Sequence, residues 1–562
     1  MVRDMTFALA SLAALALPLG LPPGPSPTPT AATAAPAAPT WALDPLPTAR
    51  VDTPVSEGPA AGADLTPRDP DTERTFSYRR AGLELAGLMA LGAAWYEAEI
   101  DFNRQDFDFD RSWSGQAQRL LTTRGYRFDD NDRRTNIGHA FVGRTYHGVA
   151  RANHATLLQA FLFDLTASSV WEAAIEHREV FSLNDTVVTA VGGVPLGEAS
   201  FQIGELFARS APTWRNRLLL AAFSPARAFL SLTEGGHLPH VSSLDRHGLA
   251  DDASHRFVLS TGGTFVALAP ATPTTAAPIG ATDPGSGTLV ARLDLELINL
   301  RAYGREGNVR RTLAGGEATG LALSYQGTAE RLDQVTVTAR SSLFGTFSQE
   351  LTGAVDTGSA HGQSLLLAAG SAFDLTLTEG DRTPDFLTAV HMIGPTADAL
   401  IYRGPMIVRL SSDLYGDFAM VRPFALGPDA PASLLEGTKS VLRERDYYYA
   451  LGLTAAARAE ARYRSLRAGA ALEWSGYDSI EGLDRQQDTF VSPTGITHPG
   501  VSDDFPITDQ RFKLRVYTEL PTPIDELRLG LSLDMQRRSG ALKDLDRSED
   551  EGRASAVLSF VM

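Results

Sequence analysis

Two hydrophobic rhythms divide the chain. Between about residues 76 and 235 apolar positions recur with the 3.6-residue period of helices, and from about 255 onward they recur every second residue. In the first region AGLELAGLMALGAAWYEAEI (81–100) and LLQAFLFDLTASSVWEAAIEH (157–177) are apolar nearly all round, yet Glu84 and Asp164 interrupt them. Charged groups seldom face lipid on intact spanning helices, so both helices are expected to be buried against protein. WRNRLLLAAFSPARAFLSL (214–232) predicts a further helix, kinked or broken at Pro225, because proline removes a donor and crowds the preceding turn.

In LVARLDLEL (289–297) Leu289, Ala291, Leu293, Leu295 and Leu297 alternate with Arg292, Asp294 and Glu296. RFKLRVYTEL (511–520), ELRLGLSLDM (526–535), LRAGAALEW (466–474) and MIVRLSSDLY (406–415) repeat the pattern, separated by turn-rich breaks such as PATPTTAAPIGATDPGSG. Period two does not say which face looks inward. A soluble barrel hides its apolar face, whereas an outer-membrane barrel turns it to lipid and keeps charges in the lumen. The second arrangement is expected, since charges fill nearly every polar position of the longer strands. Tyr447, Tyr448, Tyr449, Trp474 and Tyr477 near strand ends suit an interfacial girdle. The chain also stops inside a strand, RASAVLSFVM, with Ala554, Ala556, Leu558, Phe560 and Met562 on one face. The predicted fold is therefore α+β: an N-terminal helical domain, then a C-terminal antiparallel outer-membrane-type β-barrel of about 10–12 strands. Lumen-facing Arg292, Asp294, Glu296, Arg511, Lys513 and Arg515 could line a channel, pair with one another, or pair with a helical plug.

Composition narrows the partners. The 562 residues carry 50 basic and 67 acidic side chains, a net charge of −17. Such an acidic chain lacks the footprint of nucleic-acid binding. With no cysteine there are no disulfides, thiol chemistry or thiolate metal sites. MVRDMTFALASLAALALPLGLPPG reads as a signal peptide within residues 1–34, with Ala32-Thr33-Ala34 as an A-x-A cleavage site. Residues 22–70 hold 13 of the 33 prolines, so 35–75 is expected as a disordered Pro/Ala/Thr-rich tether. The helical domain then covers 76–235, a linker 236–254 and the barrel 255–562.

WEAAIEHREVFSLNDTVVTAVGGVPLGE (171–198) gathers Glu172, Glu176, Glu179, Asp185 and Glu198 where a helical core should form. Glu172, Glu176 and Glu179 at i, i+4 and i+7 would share one helix face, where like charges repel unless compensated. Ser182 is placed to N-cap a new helix with Asp185 three residues on. Along that helix Asp185, Thr189, Gly193 and Gly197 fall four apart, and Gly192, Gly193 and Gly197 would admit a neighbouring helix closely. Upstream, in NIGHAFVGRTYHGVARAN (136–153), His139, Gly143, His147 and Arg151 are again four apart. His139, Arg151, Asn153, Glu172, Glu176, Asn184, Asp185 and Thr189 are accordingly expected to form one buried polar cluster.

These residues resemble a known family. The order Gly138-His139, Gly143, Tyr146, Ala150-Arg151-x-Asn153, Trp171-Glu172, Glu176, Ser182-x-Asn184-Asp185, Thr189, Gly192-Gly193 and Gly197-Glu198 is similar to a bacterial domain of unknown function, number 3943, over roughly 135–230. Two positions depart from its pattern: Ala140 stands where proline is expected, and His154 where glycine is expected. The resemblance implies an exported envelope protein with a helical segment ahead of a β-rich region, and no established activity. The acid–Asp–Gly-x-x-x-Gly helix pair is more distantly similar to VanZ-type membrane proteins.

His139 and His147 with Glu172, Glu176 or Asp185 have metal-ligand chemistry, but eight residues place the two imidazoles about 12 Å apart on a helix, so no metal or other cofactor is expected. A hydrolase using His139, His147, Glu172 and Asp185 on an envelope lipid or glycan would need a nucleophile, and no G-x-S-x-G elbow occurs. HLPHVSSLDRH (237–247) with His255 suits an exposed linker. The sequence thus points to an outer-membrane protein, its N-terminal part in the periplasm and the helical domain at the barrel mouth or as a plug. Its expected role is binding, transport or envelope structure, with enzyme activity open. The expected partners are outer-membrane lipids and the barrel assembly machinery, with any small-molecule ligand unidentified.

Overall fold

The computed structural model describes residues 75–99, 107–233, 243–268, 287–328, 331–379, 384–427, 432–491, 495 and 497–562. The expected signal peptide and all but the last residue of the tether lie outside these, as do His237 and His240.

Among the described residues seven α-helices precede the barrel: α1 (Tyr78–Glu99), α2 (Trp113–Leu121), α3 (Arg133–Ala152), α4 (Leu157–Val170), α5 (Leu183–Arg209), α6 (Trp214–Phe223) and α7 (Pro225–Thr233). Their starts follow capping chemistry, because the first amides of a helix lack partners. Asp132 caps α3, and Thr156 with Gln159 closes a capping box on α4. Ser182 Oγ accepts from the Asp185 amide at the start of α5, as its position in the sequence implies. Pro225 breaks the 214–232 segment outright and serves as the first residue of α7. Two short strands, β1 (Tyr126–Arg127) and β2 (Phe181–Ser182), pair in parallel beside the helices.

The remaining strands are β3 (Ser254–Leu268), β4 (Gly287–Ile298), β5 (Gly307–Leu313), β6 (Ala318–Gly327), β7 (Leu332–Thr352), β8 (His361–Thr378), β9 (Asp385–Arg403), β10 (Met406–Val421), β11 (Tyr448–Tyr463) and β12 (Leu466–Ser479). A small hairpin, β13 (Phe490–Val491) with β14 (Thr497–His498), lies in a loop, and β15 (Ile507–Pro521), β16 (Leu527–Leu542) and β17 (Leu545–Val561) complete the wall. One more helix, α8 (Ser440–Arg445), lies between β10 and β11. Pairing runs antiparallel from β3 round to β17, and β17 pairs back onto β3. β5 and β6 share one edge of β7, facing Gly345–Leu351 and Leu332–Ser341 respectively, so together they fill one of twelve positions in a closed barrel.

The alternation reads as an outer-membrane wall. Arg292, Asp294 and Glu296 of β4 and Lys513 and Arg515 of β15 face the lumen, as do Arg340, Asp374, Arg409 and Arg458. Leu289, Leu410, Val516, Leu529, Leu531 and Leu533 lie exposed on the outside. A closed ring leaves no backbone edge unpaired, which is what hydrocarbon demands of a strand-built wall. The expected aromatic girdle is not formed by the tyrosines. Trp474 is exposed, but Tyr448 and Tyr477 point into the lumen and Tyr447 and Tyr449 are covered by the helical domain, all four buried.

The helical domain occupies neither the lumen nor a mouth, contrary to the sequence expectation. It packs on the outside of the wall. Phe373, Leu375, Val390, Phe418 and Tyr449, neighbours of lumen-facing residues on the same strands, form one apolar cluster with Ala140 of α3 and with Val188, Leu196 and Ala199 of α5. Strand parity forces this: with Asp374 inside, Phe373 and Leu375 must be outside. α5 leans across β6–β9. Its first turn lies near the long loop 480–506, which gives the Leu483 carbonyl to the Phe128 amide. Its end lies at the opposite rim, where Arg209 pairs with Asp252 and Asn299 and Phe207 packs at a tilt against Phe257. Twenty-seven residues at 1.5 Å make about 40 Å, enough to run the full height of an apolar band of about 25 Å.

Candidate functional site

Small residues let the helical domain close on itself and on the wall. A Cβ added at Gly193 would lie 2.6–2.7 Å from the Gly143 backbone, and one at Gly197 would meet the His147 imidazole. Gly192 instead faces Val390 and Phe373 of the barrel. Two of the three glycines expected at a helix contact serve helix on helix, and the third serves helix on strand.

At the loop end of this contact lies an acidic group. The turn that follows α4 is a π-helical segment, Trp171–Ile175, so Glu172, Glu176 and Glu179 do not continue one α-helical face as their spacing suggests. Glu172, Glu176 and Asp185 still converge, with one oxygen of each within 4.8 Å of the others, a geometry that could hold a cation or share protons. Protein donors tie the group down. The Ser182 amide donates to Glu172 Oε2 (3.0 Å), Trp171 Nε1 to Glu176 Oε1 (2.9 Å) and Asn131 Nδ2 to Asp185 Oδ2 (2.9 Å). Asn184 Nδ2 bridges Asp129 and Asp185, 3.0 Å from each. Burial, then the neighbouring carboxylates, pushes Glu172 well above the usual range and Glu176 up to about 8. Arg119, fully buried, donates to the carbonyls of Glu172, Glu176 and Glu179 and so ties the irregular turn together.

Beside this group Thr189 Oγ1, His139 and Asp185 fall in the order hydroxyl, imidazole, carboxylate, at 3.4 and 3.3 Å. That is the order of a hydrolytic triad. Thr189, however, is 2% exposed, and its carbonyl abuts Gly143 where the two helices touch, so no ester can reach the hydroxyl.

His147 and Arg151 belong to a second network, a turn or two further along α3. His147 Nδ1 lies 3.0 Å from Asp164 Oδ2, and its Nε2 lies 2.9 Å from Glu198 Oε2. Arg151 grips Glu198 with Nε and Nη2 at 2.8 and 2.9 Å, a bidentate pair. Arg151 Nη2 and Gln202 Nε2 then donate to the carbonyl of Gly315 in the connection between β5 and β6. Asn153 forms a third group, with its Nδ2 on Glu84 at 2.7 Å and its Oδ1 accepting from Arg80. The single cluster expected from sequence is thus three. Two parallel helices can bring only residues of equal height together, so the two histidines never share a site. Nothing in the local sequence of Asp129, Asn131 and Arg119 marks them for this site. Of the linker histidines, His255 Nε2 lies 3.2 Å from Asp245 Oδ2 and His247 accepts from Arg246.

The lumen holds the other candidate site. Charged rows meet across it: Arg409 and Arg458 both reach Glu296 (3.0 and 3.3 Å), Arg256 takes Glu519 (2.7 Å) and Arg340 takes Asp413 (3.0 Å). His391 sits between Asp417 and Asp374 at 2.6 and 3.1 Å. A chamber of about 650 Å³ remains between these rows. Arg292 lines it and makes no ion pair or hydrogen bond of its own among the described residues; its charged neighbours are Arg515, Asp294 and Asp534.

Both ends of the chamber are filled by the chain itself. At the loop end Ala425, Leu426 and Leu442 of the β10–β11 connection pack on inward-facing Leu387, Val421, Tyr448 and Ile507. Arg538 fastens that segment, donating to Asp385 (2.7 Å), Asp509 (2.9 Å) and the Arg422 carbonyl (2.6 Å). At the turn end Leu300 and Tyr303 pack on Phe347, and Gln349 holds the carbonyls of Ala302 and Arg305. The lumen rows were legible as alternating charges. The closures were not, since inward loops carry no period.

Against known proteins, residues 125–226 match the model of a family described as a domain of unknown function, DUF3943. No curated protein matches the chain. Among solved structures, a loop-deletion form of the Vibrio cholerae outer-membrane protein OmpT covers 55% of this chain and 100% of its own at 7% identity and a TM-score of 0.18. An anion-selective porin from Comamonas acidovorans gives 55%, 100%, 8% and 0.19, and the translocator domain of the Neisseria meningitidis autotransporter NalP gives 59%, 93%, 9% and 0.16. Overlaps this low carry no argument, and the barrel assignment stands on the closed pairing and the two faces of its own wall.

Proposed function

We propose that this is an outer-membrane binding protein whose barrel encloses a small anionic solute in a gated chamber, not an open diffusion pore. The observation that carries the reading is the filling of both mouths by inward-packed segments, which leaves a charged chamber between them. Long loops at one end and short turns at the other fit an orientation with the Arg538-fastened mouth outward and the turns toward the periplasm. In a chamber where the other lumen arginines hold acidic partners directly, Arg292 has Asp294 and Asp534 near it but no ion pair or hydrogen bond among the described residues, so its guanidinium donors are open to an anion. Access requires one mouth segment to swing aside, and the Arg538–Asp385–Asp509 fastening is the candidate latch.

The test is conductance of the full chain in planar bilayers. The wild type should show no steady open state, and Arg538→Ala should produce discrete openings. Adding Arg292→Glu to that variant should then move its selectivity from anions toward cations. A stable, porin-like conductance in the wild type would sink the reading.

A further inference from the structure

The helical domain lies where the barrel alone would touch lipid, and its outer surface is built for that setting. We propose that the faces of α1, α4 and α7 turned away from the barrel are bathed in the acyl chains of the bilayer the barrel spans, so that the helical domain is a membrane-immersed flank.

Three observations converge. First, position: α5 leans on the outer wall from the loop end to the opposite rim, so the layers stacked on it share the depth of the apolar band. Second, surface: Leu83 (76% exposed), Leu91 and Trp95 of α1, Leu158 of α4 and Leu232 of α7 (78%) stand open. An apolar surface that is this large and open on a folded domain marks an interaction face. It adjoins the bare wall, where Phe344, Leu367 and Ile393 are exposed on strands that α5 crosses nearer the loops. The barrel belt and the helical face make one apolar surface. Third, interior: the buried polar side chains form partnered sets, with His147, Arg151, Asp164 and Glu198 together and Arg144 donating to Ser200 and to the carbonyls of Ala222 and Phe223, while the exposed charges of α1, Arg79 and Glu97, lie near its two ends. Polar groups at membrane depth face the protein interior and pair there. No described helix is long and apolar enough to cross a membrane unaided, so the wall must supply the depth and the helices only the covering.

The cysteine-free chain makes the test direct. Leu91→Cys, Leu158→Cys and Leu232→Cys are each introduced in the full protein, reconstituted in phospholipid vesicles and attached to an environment-sensitive fluorophore. Leu531→Cys on the barrel belt and Asp544→Cys in the exposed β16–β17 turn serve as references. Retention of the heat-modifiable gel band selects folded variants. The expected result is loss of fluorescence with lipids brominated along their chains, as at position 531, and loss of reaction with a water-soluble maleimide relative to position 544. A label-free readout is quenching of native Trp95 by the same lipids, taken as the difference from Trp95→Phe. Aqueous labelling at the rate of position 544 would overturn the proposal, and so would protection from both maleimide and lipid quencher, which would assign the face to another protein. The proposal rests on the barrel lying in a bilayer: quenching absent at position 531 as well would instead refute the outer-membrane reading.

Discussion

Gly316 lies directly against the carboxylate of Glu198. Its φ is +75°, and a Cβ built there would overlap Oε1 of that side chain. The relationship explains why a strand of the wall is interrupted. β5 and β6 follow the same edge of β7, and the four residues between them, Ala314–Glu317, leave the ladder so that the Gly315 carbonyl can meet Arg151 and Gln202. The barrel gives up a few ladder bonds and gains a charged anchor for the helical domain.

Gly316→Ala should therefore destabilise attachment of the helices. A left-handed residue other than glycine costs about 1–2 kcal/mol before the overlap with Glu198 is counted. Glu198→Gln leaves Arg151 and His147 without their shared carboxylate, and breaking a buried ion pair from one side costs roughly 3–5 kcal/mol. Helical circular dichroism should melt earlier in both variants while the heat-modifiable barrel band persists. Unchanged helical melting in both would show that the anchor does not hold the domain.

The acidic group gives the helical domain a pH dependence of defined sign. Burial and neighbouring carboxylates raise Glu176 from an ordinary 4.5 to about 8, and Glu172 shifts the same way. A carboxyl whose folded pKa is raised binds more protons folded than unfolded, so its stabilisation is full below about pH 4.5 and is lost as pH rises toward 8. Helical melting should fall across that window, and Glu176→Gln should flatten the fall. A rise with pH would contradict the assignment.

His154 follows α3 with φ +69°. Branched side chains are the least tolerant of that backbone region. His154→Gly should fold normally, whereas His154→Val should lower helical melting by an amount corresponding to about 1–2 kcal/mol. Equal melting of the two would show that the turn relaxes without cost.

Much of the site was legible because it depends on local rules. The Ser182 cap, the four-residue stripe of His139, Gly143, His147 and Arg151, and the close approach at Gly193 and Gly197 all follow from helical periodicity. What periodicity could not supply was height. Residues on parallel helices meet only at matched levels, which sent His139 to Asp185 and His147 to Glu198. The acids of the 172–179 segment converged through a π-turn that no spacing rule anticipates.

The sequence by itself determined the wall. Alternation of period two, carried through β4, β10, β12, β15, β16 and β17, assigned Leu531 outward and Arg292 inward, because a strand has only two faces. Only the tertiary structure decided what touches each face. Phe373, Leu375 and Val390 read like lipid-facing residues, yet a helix covers them, since helix and hydrocarbon both demand an apolar surface and nothing in the strand distinguishes the two. Likewise Arg409 and Arg458 could not be assigned to Glu296 until the ring closed and brought distant strands to opposite sides of one lumen.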